Sequence, residues 1–366
     1  MQERVVSCGV TRPPSDYRIL VGCGLVERLG WEMRELGLSG TTVVVSDDAV
    51  FPQYGARVQN ALESEGFGVR RWVVPRGEGT KCLAWAERTY DFMVEQRVER
   101  GDCVVALGGG MVGDLAGFVA ATFLRGISLV QVPTSLVAMV DASIGGKVGV
   151  NHPLGKNLIG AFYQPKLVVV DPGCLGTLPG RELRSGWAEV VKYGAIQDRE
   201  LFEVLGSSAE SLMELETEAV IEAVARSAAI KARIVEEDER EAGKRMILNY
   251  GHSIGHGLEA ATGYSQFLHG EAVAVGMTGA AMLSERMGLL PAEAARRQQR
   301  VLKRFGLPTG FTGVGVGDVV KAMELDKKVR EGSLRWVLLE DIGRSVVRRD
   351  VPRDMVLGVL EDLSRG

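Results

Sequence analysis

Val104-Val105-Ala106-Leu107-Gly108-Gly109-Gly110-Met111-Val112-Gly113-Asp114 is the stretch that decides the fold class. A short apolar run opening on two β-branched residues reads as a buried strand, the glycines as a tight turn, and the apolar stretch near Leu115 to Phe123 as a compact helix. The same rhythm extends outward on both sides. Upstream lie the strand Val43-Val44-Val45, a helical stretch near Ala49 to Glu65, the strand Val69 to Val74 and a helical stretch from Cys82 to Val98; downstream lies the strand Ile127 to Val132. Strand and helix in strict alternation mean parallel strands joined by helical crossovers, a doubly wound α/β domain. After Pro179 the pattern turns to helical periodicity at Glu182 to Ile196, Leu201 to Leu205, Thr217 to Glu239, Ser253 to Ala261, Glu271 to Met287 and Glu293 to Phe305. β-branched runs return only at Trp336 to Leu339 and Val346-Val347. The expected organisation is an α/β domain over residues 1–178 and a mostly helical domain over 179–366, with a ligand site between them.

Composition narrows the function. With 366 residues the chain can build two cores, and 47 glycines are nearly double the usual share of about 7%. Lys plus Arg (43) against Asp plus Glu (47) gives a net charge of -4, without the basic excess that a phosphate backbone selects, so nucleic acid is an unlikely partner. No uncharged stretch approaches the roughly 20 apolar residues of a membrane span, and Met1-Gln2-Glu3-Arg4 opens no signal or lipidation motif. Cys8, Cys23, Cys82, Cys103 and Cys174 are scattered and odd in number, which suits reduced thiols in a cytoplasmic protein.

Several segments carry chemistry. Gly108 to Gly113 spells Gly-x-Gly-x-x-Gly between strand and helix, where free N–H groups and the helix dipole hold a pyrophosphate. No acidic residue follows about 20 positions on; Asp47, at the end of the first clear strand, is the available carboxylate for a ribose. On spacing alone the glycines serve equally well as a packing surface between helix and sheet. His252 and His256 are four apart, on one helical face, the spacing by which two imidazoles reach one metal, and His269 beside Glu271 could swing in as a third ligand. Glu189 and Lys192 share a face too, but Trp187, Val190, Val191 and Tyr193 surround them with more apolar surface than an exposed ion pair needs; a buried carboxylate there wants a partner such as a divalent cation. Asp141, Lys147, Lys156 and Asn157 fall in what reads as Gly-rich loop between Pro133 and Gly160, suited to anionic oxygens.

Taken in order, Gly108 to Asp114, Val140 to Gly160, Glu189-Val190-Val191-Lys192-Tyr193-Gly194, Asn249 to His256, Leu268 to Glu271 and Asp326-Lys327-Lys328 resemble the 3-dehydroquinate synthase family of sugar phosphate cyclases over nearly the whole chain. The resemblance implies a Rossmann-like N-terminal domain, a helical metal-binding C-terminal domain, a homodimer, one NAD and one Zn or Co ion per subunit. It places the metal on Glu189, His252 and His269, which moves His256 to the substrate. Cofactor contacts fall on Asp47, Glu78, Lys81, Gly110, Gly113, Asp114, Thr134, Ser135, Lys147, Lys156, Thr177, Leu178 and Glu182. Substrate contacts fall on Asp141, Lys147, Asn157, Lys192, Lys231, Arg245, Asn249, His256 and one of Lys327 or Lys328, with Arg125 reaching the phosphate in the neighbouring subunit's site. The implied reaction turns 3-deoxy-D-arabino-heptulosonate 7-phosphate into 3-dehydroquinate and phosphate by transient oxidation, elimination, re-reduction and aldol closure. A cyclase for a sugar without the carboxylate, or for an amino analogue, would lack the Lys231, Arg245 and Asn249 cluster, and a metal-dependent polyol dehydrogenase would lack the Lys147, Lys156, Asn157 and Arg245 cluster. A binding protein without catalysis would leave these charged groups without a purpose. Arg76 and His152 depart from the family pattern away from the chemistry.

Overall fold

A computed structural model describes residues 16–241, 243–329 and 335–366 of the chain. Cys8 and the opening residues lie outside the described residues, as do the side chains of Lys327 and Lys328. In the first half, β1 (Arg18–Val21), α1 (Leu29–Glu35), β2 (Thr41–Asp47), α2 (Phe51–Ser64), β3 (Gly68–Val74), α3 (Leu83–Glu95) and β4 (Cys103–Gly108) lead to α4 (Gly110–Thr122) and β5 (Ser128–Pro133). A wide helical turn at Ala138–Ala142 then precedes β6 (Lys147–His152), β7 (Gly155–Phe162) and β8 (Leu167–Val170). The helical half runs α5 (Gly180–Gln197), α6 (Arg199–Ser207), α7 (Ala209–Met213), α8 (Thr217–Glu237), α9 (His252–Ala261), α10 (His269–Arg286), α11 (Ala292–Arg304) and α12 (Val316–Val329). The hairpin β9 (Trp336–Asp341) and β10 (Arg344–Arg348) and helix α13 (Arg353–Leu363) close it. Among the described residues, no helix is long and apolar enough to cross a membrane.

The first half is built on a 6-stranded parallel sheet in the order β1-β8-β5-β4-β2-β3. Both faces of its inner strands are covered, so β4 and β8 are near-continuous apolar runs rather than alternating, whereas the edge strand β3 carries the exposed Arg70 and Arg71. Val43, Val45, Val104 and Ala106 pack against α3 and α4. Val44, Val105, Leu107, Val130 and Val132 belong to the core cluster that continues through α2 into Trp187, Tyr250 and the rest of the helical half. The chain steps outward from β2 to β3, then returns past β2 to β4 and onward to β5, so the topological switch point lies between β2 and β4. Ligands of such sheets bind there, beyond the carboxyl ends of the strands, and Asp47 and Gly108 are those ends.

The structure corrects several expectations. The stretch read as Gly-rich loop from Pro133 to Gly160 is the turn at Ala138–Ala142 followed by the antiparallel hairpin β6–β7. Its glycines pair across the hairpin, Gly149 opposite Gly160; a Cβ at either would come within 2.6 or 2.4 Å of the facing strand's carbonyl oxygen, so they mark a close backbone approach. Helix α4 begins at Gly110, not Leu115, because its glycines pack closely: a Cβ on Gly117 would lie 2.3 Å from Val148 of β6. Short β1 and β8, and the helices α1, α7, α12 and α13, lie outside the elements expected from the sequence.

Candidate active site

Two helix starts and the middle of α5 bring the site together. Gly251 adopts φ 81° and lies against α10, where a Cβ would meet the Val273 carbonyl oxygen at 2.7 Å; the next residue, His252, opens α9. The start of α10 is fixed by Glu271, whose carboxylate accepts the Leu268 N–H (2.9 Å) and is held in turn by Arg181 through two 2.7 Å bonds. That puts His269 in the first turn. Gly270 then presses on α5 next to Ser185, whose hydroxyl accepts its N–H at 3.0 Å, one turn before Glu189.

Glu189, His252 and His269 each offer an atom in a group whose members all lie within 4.8 Å of one another. Nε2 of His252 and Nε2 of His269 lie 3.7 and 3.5 Å from Glu189 Oε1. The outer nitrogens are committed elsewhere: Nδ1 of His252 to the Tyr250 carbonyl (3.1 Å), Nδ1 of His269 to Glu259 (3.3 Å). Glu189 is fully buried, and neither carboxylate oxygen has a hydrogen bond of acceptable geometry. Two imidazoles and an unsatisfied carboxylate are the donor set a borderline divalent cation takes, so the residues fit a Zn or Co ion. Burial alone would raise the Glu189 carboxyl, but the Lys192 ammonium, with His269 and His252, holds it at about 2. Burial and Lys192 push His252 down to about 3, whereas the contacts of His269 with Glu189 and Glu259 overcome its burial and raise it to about 10. His256 stands edge-on to His252 at 5.2 Å and 6.1 Å from His269, ring centre to ring centre; it forms a second possible donor group with Glu259 and His269.

Lys192 is buried and ion-paired to Glu189, and its charge also acts on Asp141 of the turn at Ala138–Ala142. A helix of the wide type is rare and concentrates at functional sites. Here it presents Asp141 to Lys231, whose ammonium lies 2.6 Å from Oδ1 and also meets the Asp141 carbonyl, and to the Tyr193 hydroxyl at 3.0 Å. Burial opposes ionisation of Asp141, but Lys231 and Lys192 hold it well below the usual carboxylate range. Arg245 is buried with one guanidinium nitrogen on the Gly145 and Glu239 carbonyls (3.3 and 2.7 Å). Lys147 and Asn249 converge on one carboxylate, Glu241, with Asn249 at 3.0 Å.

The same turn touches the Gly-rich start of α4, where a Cβ on Gly110 would lie 3.2 Å from Ala142. Around that start, Lys81 reaches Asp114 and Asn157, both at 2.5 Å, and lies 3.9 Å from Glu78. Asn151 ties the hairpin to the same loop through Glu78 (2.8 Å) and the Lys81 carbonyl (2.8 Å). The structure therefore places Asn157 with Lys81 and Asp114. Asp47 accepts the Ala49 and Val50 N–H groups at 2.9 Å through one oxygen. The Thr134 N–H donates to the Gly108 carbonyl (3.0 Å), with Ser135 against Gly109. Thr177 bonds Tyr54 at 2.7 Å, followed by Leu178 and, on α5, Glu182, whose carboxyl is raised by burial. Lys156 stands 3.7 Å from the centre of the Tyr264 ring, just before α10. Arg125 sits exposed at φ 70° after α4, and Lys327 and Lys328 fall in the last turns of α12.

Glu259, Glu241, Tyr193, Asn151 and Tyr264 were not read from the sequence as parts of the site. Glu259 had a signal: it is seven residues after His252 and three after His256, on the same face of α9.

The family profile described as "3-dehydroquinate synthase N-terminal" matches residues 71–185, and that described as "3-dehydroquinate synthase C-terminal" matches residues 186–329. A curated "3-dehydroquinate synthase" from Nostoc punctiforme is 46% identical over 357 residues, covering 97% of this chain and 98% of the relative. Among solved structures, a 2-epi-5-epi-valiolone synthase from Streptomyces hygroscopicus, with NAD+ and Zn2+ bound, superposes with a TM-score of 0.89 at 28% identity, covering 98% of this chain and 99% of that one. A 2-deoxy-scyllo-inosose synthase complexed with carbaglucose-6-phosphate, NAD+ and Co2+ gives 0.85 at 25% identity, covering 94% and 96%.

Proposed function

The chain belongs to the 3-dehydroquinate synthase family, and from that premise we propose that it converts 3-deoxy-D-arabino-heptulosonate 7-phosphate into 3-dehydroquinate and inorganic phosphate. The observation that carries this reading is the convergence of Glu189, His252 and His269, joined through Lys192 and Asp141 to the Gly-rich start of α4. In the overall reaction the C5 carbinol is oxidised, the C6 proton becomes acidic beside the new carbonyl, and phosphate leaves C7; reduction, ring opening and aldol closure follow without net redox. In class the activity is that of a carbon–oxygen lyase acting on a phosphate, in the cytoplasm, with residues 1–178 holding the cofactor and 179–366 the metal and most of the substrate.

Glu189, His252 and His269 hold the Zn or Co ion, and Asp47, Glu78, Lys81, Gly110, Gly113, Asp114, Thr134, Ser135, Lys147, Lys156, Thr177, Leu178 and Glu182 surround the NAD; bound, they supply a Lewis acid and a reversible hydride acceptor. Lys147 and Asn249 hold the substrate phosphate with Asn157 and Arg125 of the partner subunit, and one of Lys327 or Lys328 contacts the substrate. Support for the first pair is that both already converge on one anionic group, Glu241. Lys231 and Arg245 bind the substrate carboxylate through charge-assisted hydrogen bonds. Asp141 pairs with Lys231 and holds it in place, and Lys192 and His256 orient hydroxyls and relay their protons. Fixing the substrate's conformation is most of the work, because the leaving phosphate can itself take the C6 proton.

Incubated with the heptulosonate phosphate, the purified chain should release phosphate and 3-dehydroquinate one for one, lose activity to a chelator, regain it with Zn or Co, and accumulate no NADH. Stoichiometric NADH without phosphate would overturn the reading in favour of a polyol dehydrogenase.

The homodimer is the reading for an exposed apolar face on the β6–β7 hairpin. Leu158 and Phe162 alternate outward on β7 and Leu154 caps the turn, while Tyr163 pins the hairpin to Gly126-Ile127, beside Leu124 and Arg125. Burying such side chains stabilises association by about 1.5–3 kcal/mol each. Leu158→Asp with Phe162→Asp should turn dimer into monomer by sedimentation and lower activity through loss of the partner's Arg125; a dimer unchanged in mass at micromolar concentration would rule this surface out.

A further inference from the structure

We propose that Glu259 is a positioning residue for the metal site: its carboxylate accepts a hydrogen bond from Nδ1 of His269 and so aims Nε2 of that ring at Glu189 and His252. The proposal rests on the reading that Glu189, His252 and His269 hold the divalent ion.

Four features of the structure support it. Glu259 Oε2 lies 3.3 Å from His269 Nδ1, and the Glu259 side chain is buried. The Glu259 carbonyl accepts the Tyr264 N–H at 2.7 Å, which closes the end of α9, and α9 packs closely on α10, where a Cβ on Gly255 would lie 3.1 Å from the Ala272 carbonyl oxygen. Each imidazole of the ligand set has one outer partner, the Tyr250 carbonyl for His252 and Glu259 for His269, and one nitrogen left for a cation. A carboxylate in that outer place fixes the tautomer and raises the basicity of the ring. Finally, although His256, Glu259 and His269 could themselves surround an ion, Oε2 of Glu259 is already spent on His269, whereas Oε1 of Glu189, the oxygen that both Nε2 atoms face, has no hydrogen-bond partner and Lys192 engages only Oε2.

The test uses full-length protein stripped of metal and titrated with Co2+ in competition with a chromophoric chelator, with the visible Co2+ spectrum as a second readout. Glu259→Gln keeps the shape and loses the charge, and it should weaken Co2+ binding by roughly 10–100-fold and shift the spectrum, with NAD binding and melting temperature near the parent's. Glu259→Ala should weaken it at least as much; if that variant fails to fold, the Gln variant decides alone. Affinity within twofold of the parent with an unchanged spectrum would overturn the proposal, and a loss as complete as that of Glu189→Gln would overturn it in favour of Glu259 as a direct ligand. Should Glu189→Gln itself bind Co2+ like the parent, the underlying metal-site reading fails, and the proposal falls with it.

Discussion

Glu189→Gln is expected to lower kcat by about 1,000-fold or more while leaving the fold intact. The side chain is isosteric, so the packing among Trp187, Val190 and Tyr193 survives, but the negative charge that two imidazoles and Lys192 face is gone. Lewis-acid stabilisation of developing oxyanions amounts to several kcal/mol, and each 1.4 kcal/mol is a tenfold change in rate. Stability should fall as well, because Lys192 is 1% exposed and its ammonium would keep only distant compensation from Asp141. Breaking a buried pair on one side costs about 3–5 kcal/mol. The two effects separate in a double variant: adding Lys192→Met should return most of the lost melting temperature and none of the turnover. Turnover of the single variant within tenfold of the parent, measured by phosphate release, would remove Glu189 from the reaction.

The α/β half was legible because both faces of its sheet are buried, which makes β2, β4 and β5 continuous apolar runs that stand out between amphipathic helices. The β6–β7 hairpin was not, because Gly149 and Gly160, facing each other across it, carry the same letter as turn glycines, and only the partner strand reveals that the position needs close approach rather than a bend. Within the site, one-dimensional spacing favoured His252 with His256, since both share a helical face. What singles out His269 is long range: Arg181 and Glu271 set where α10 starts, and Ser185 sets how close it lies to α5. Glu241 was hidden for a related reason. It ends an acidic run, from Glu236 to Glu241, that reads as the solvated end of α8. Asp238 caps the turn by accepting the Gly243 and Arg245 N–H groups, and Glu241 itself takes φ 58°, which turns its carboxylate inward onto Lys147 and Asn249.

Gly276→Ala should damage the site from a position that touches no ligand. In α10, a Cβ at this residue would lie 1.8 Å from the Gly251 carbonyl oxygen and 3.0 Å from the Gly255 N, backbone atoms that cannot rotate away. Helix propensity alone favours the change by about 1 kcal/mol. Forcing a methyl into a packed contact costs roughly 1–3 kcal/mol and here also pushes α9 away from α10. The residue after Gly251 is His252, and His269 lies two turns before Gly276 on the helix being displaced, so the separation of two of the proposed metal ligands changes directly. A misplacement of about 1 Å in such a constellation is worth around 100-fold in rate, more than the stability term would suggest. Gly317→Ala provides the opposite sign: that helical glycine is exposed on α12 with nothing within 4 Å of the added carbon, so the change should leave kcat untouched and raise stability by about 0.5–1 kcal/mol. Measured together as Co2+ affinity, kcat and melting temperature, the pair should split, Gly276→Ala losing on all three counts and Gly317→Ala gaining on the last. Parental metal affinity in Gly276→Ala would mean that the contact between α9 and α10 does not set the distance between His252 and His269.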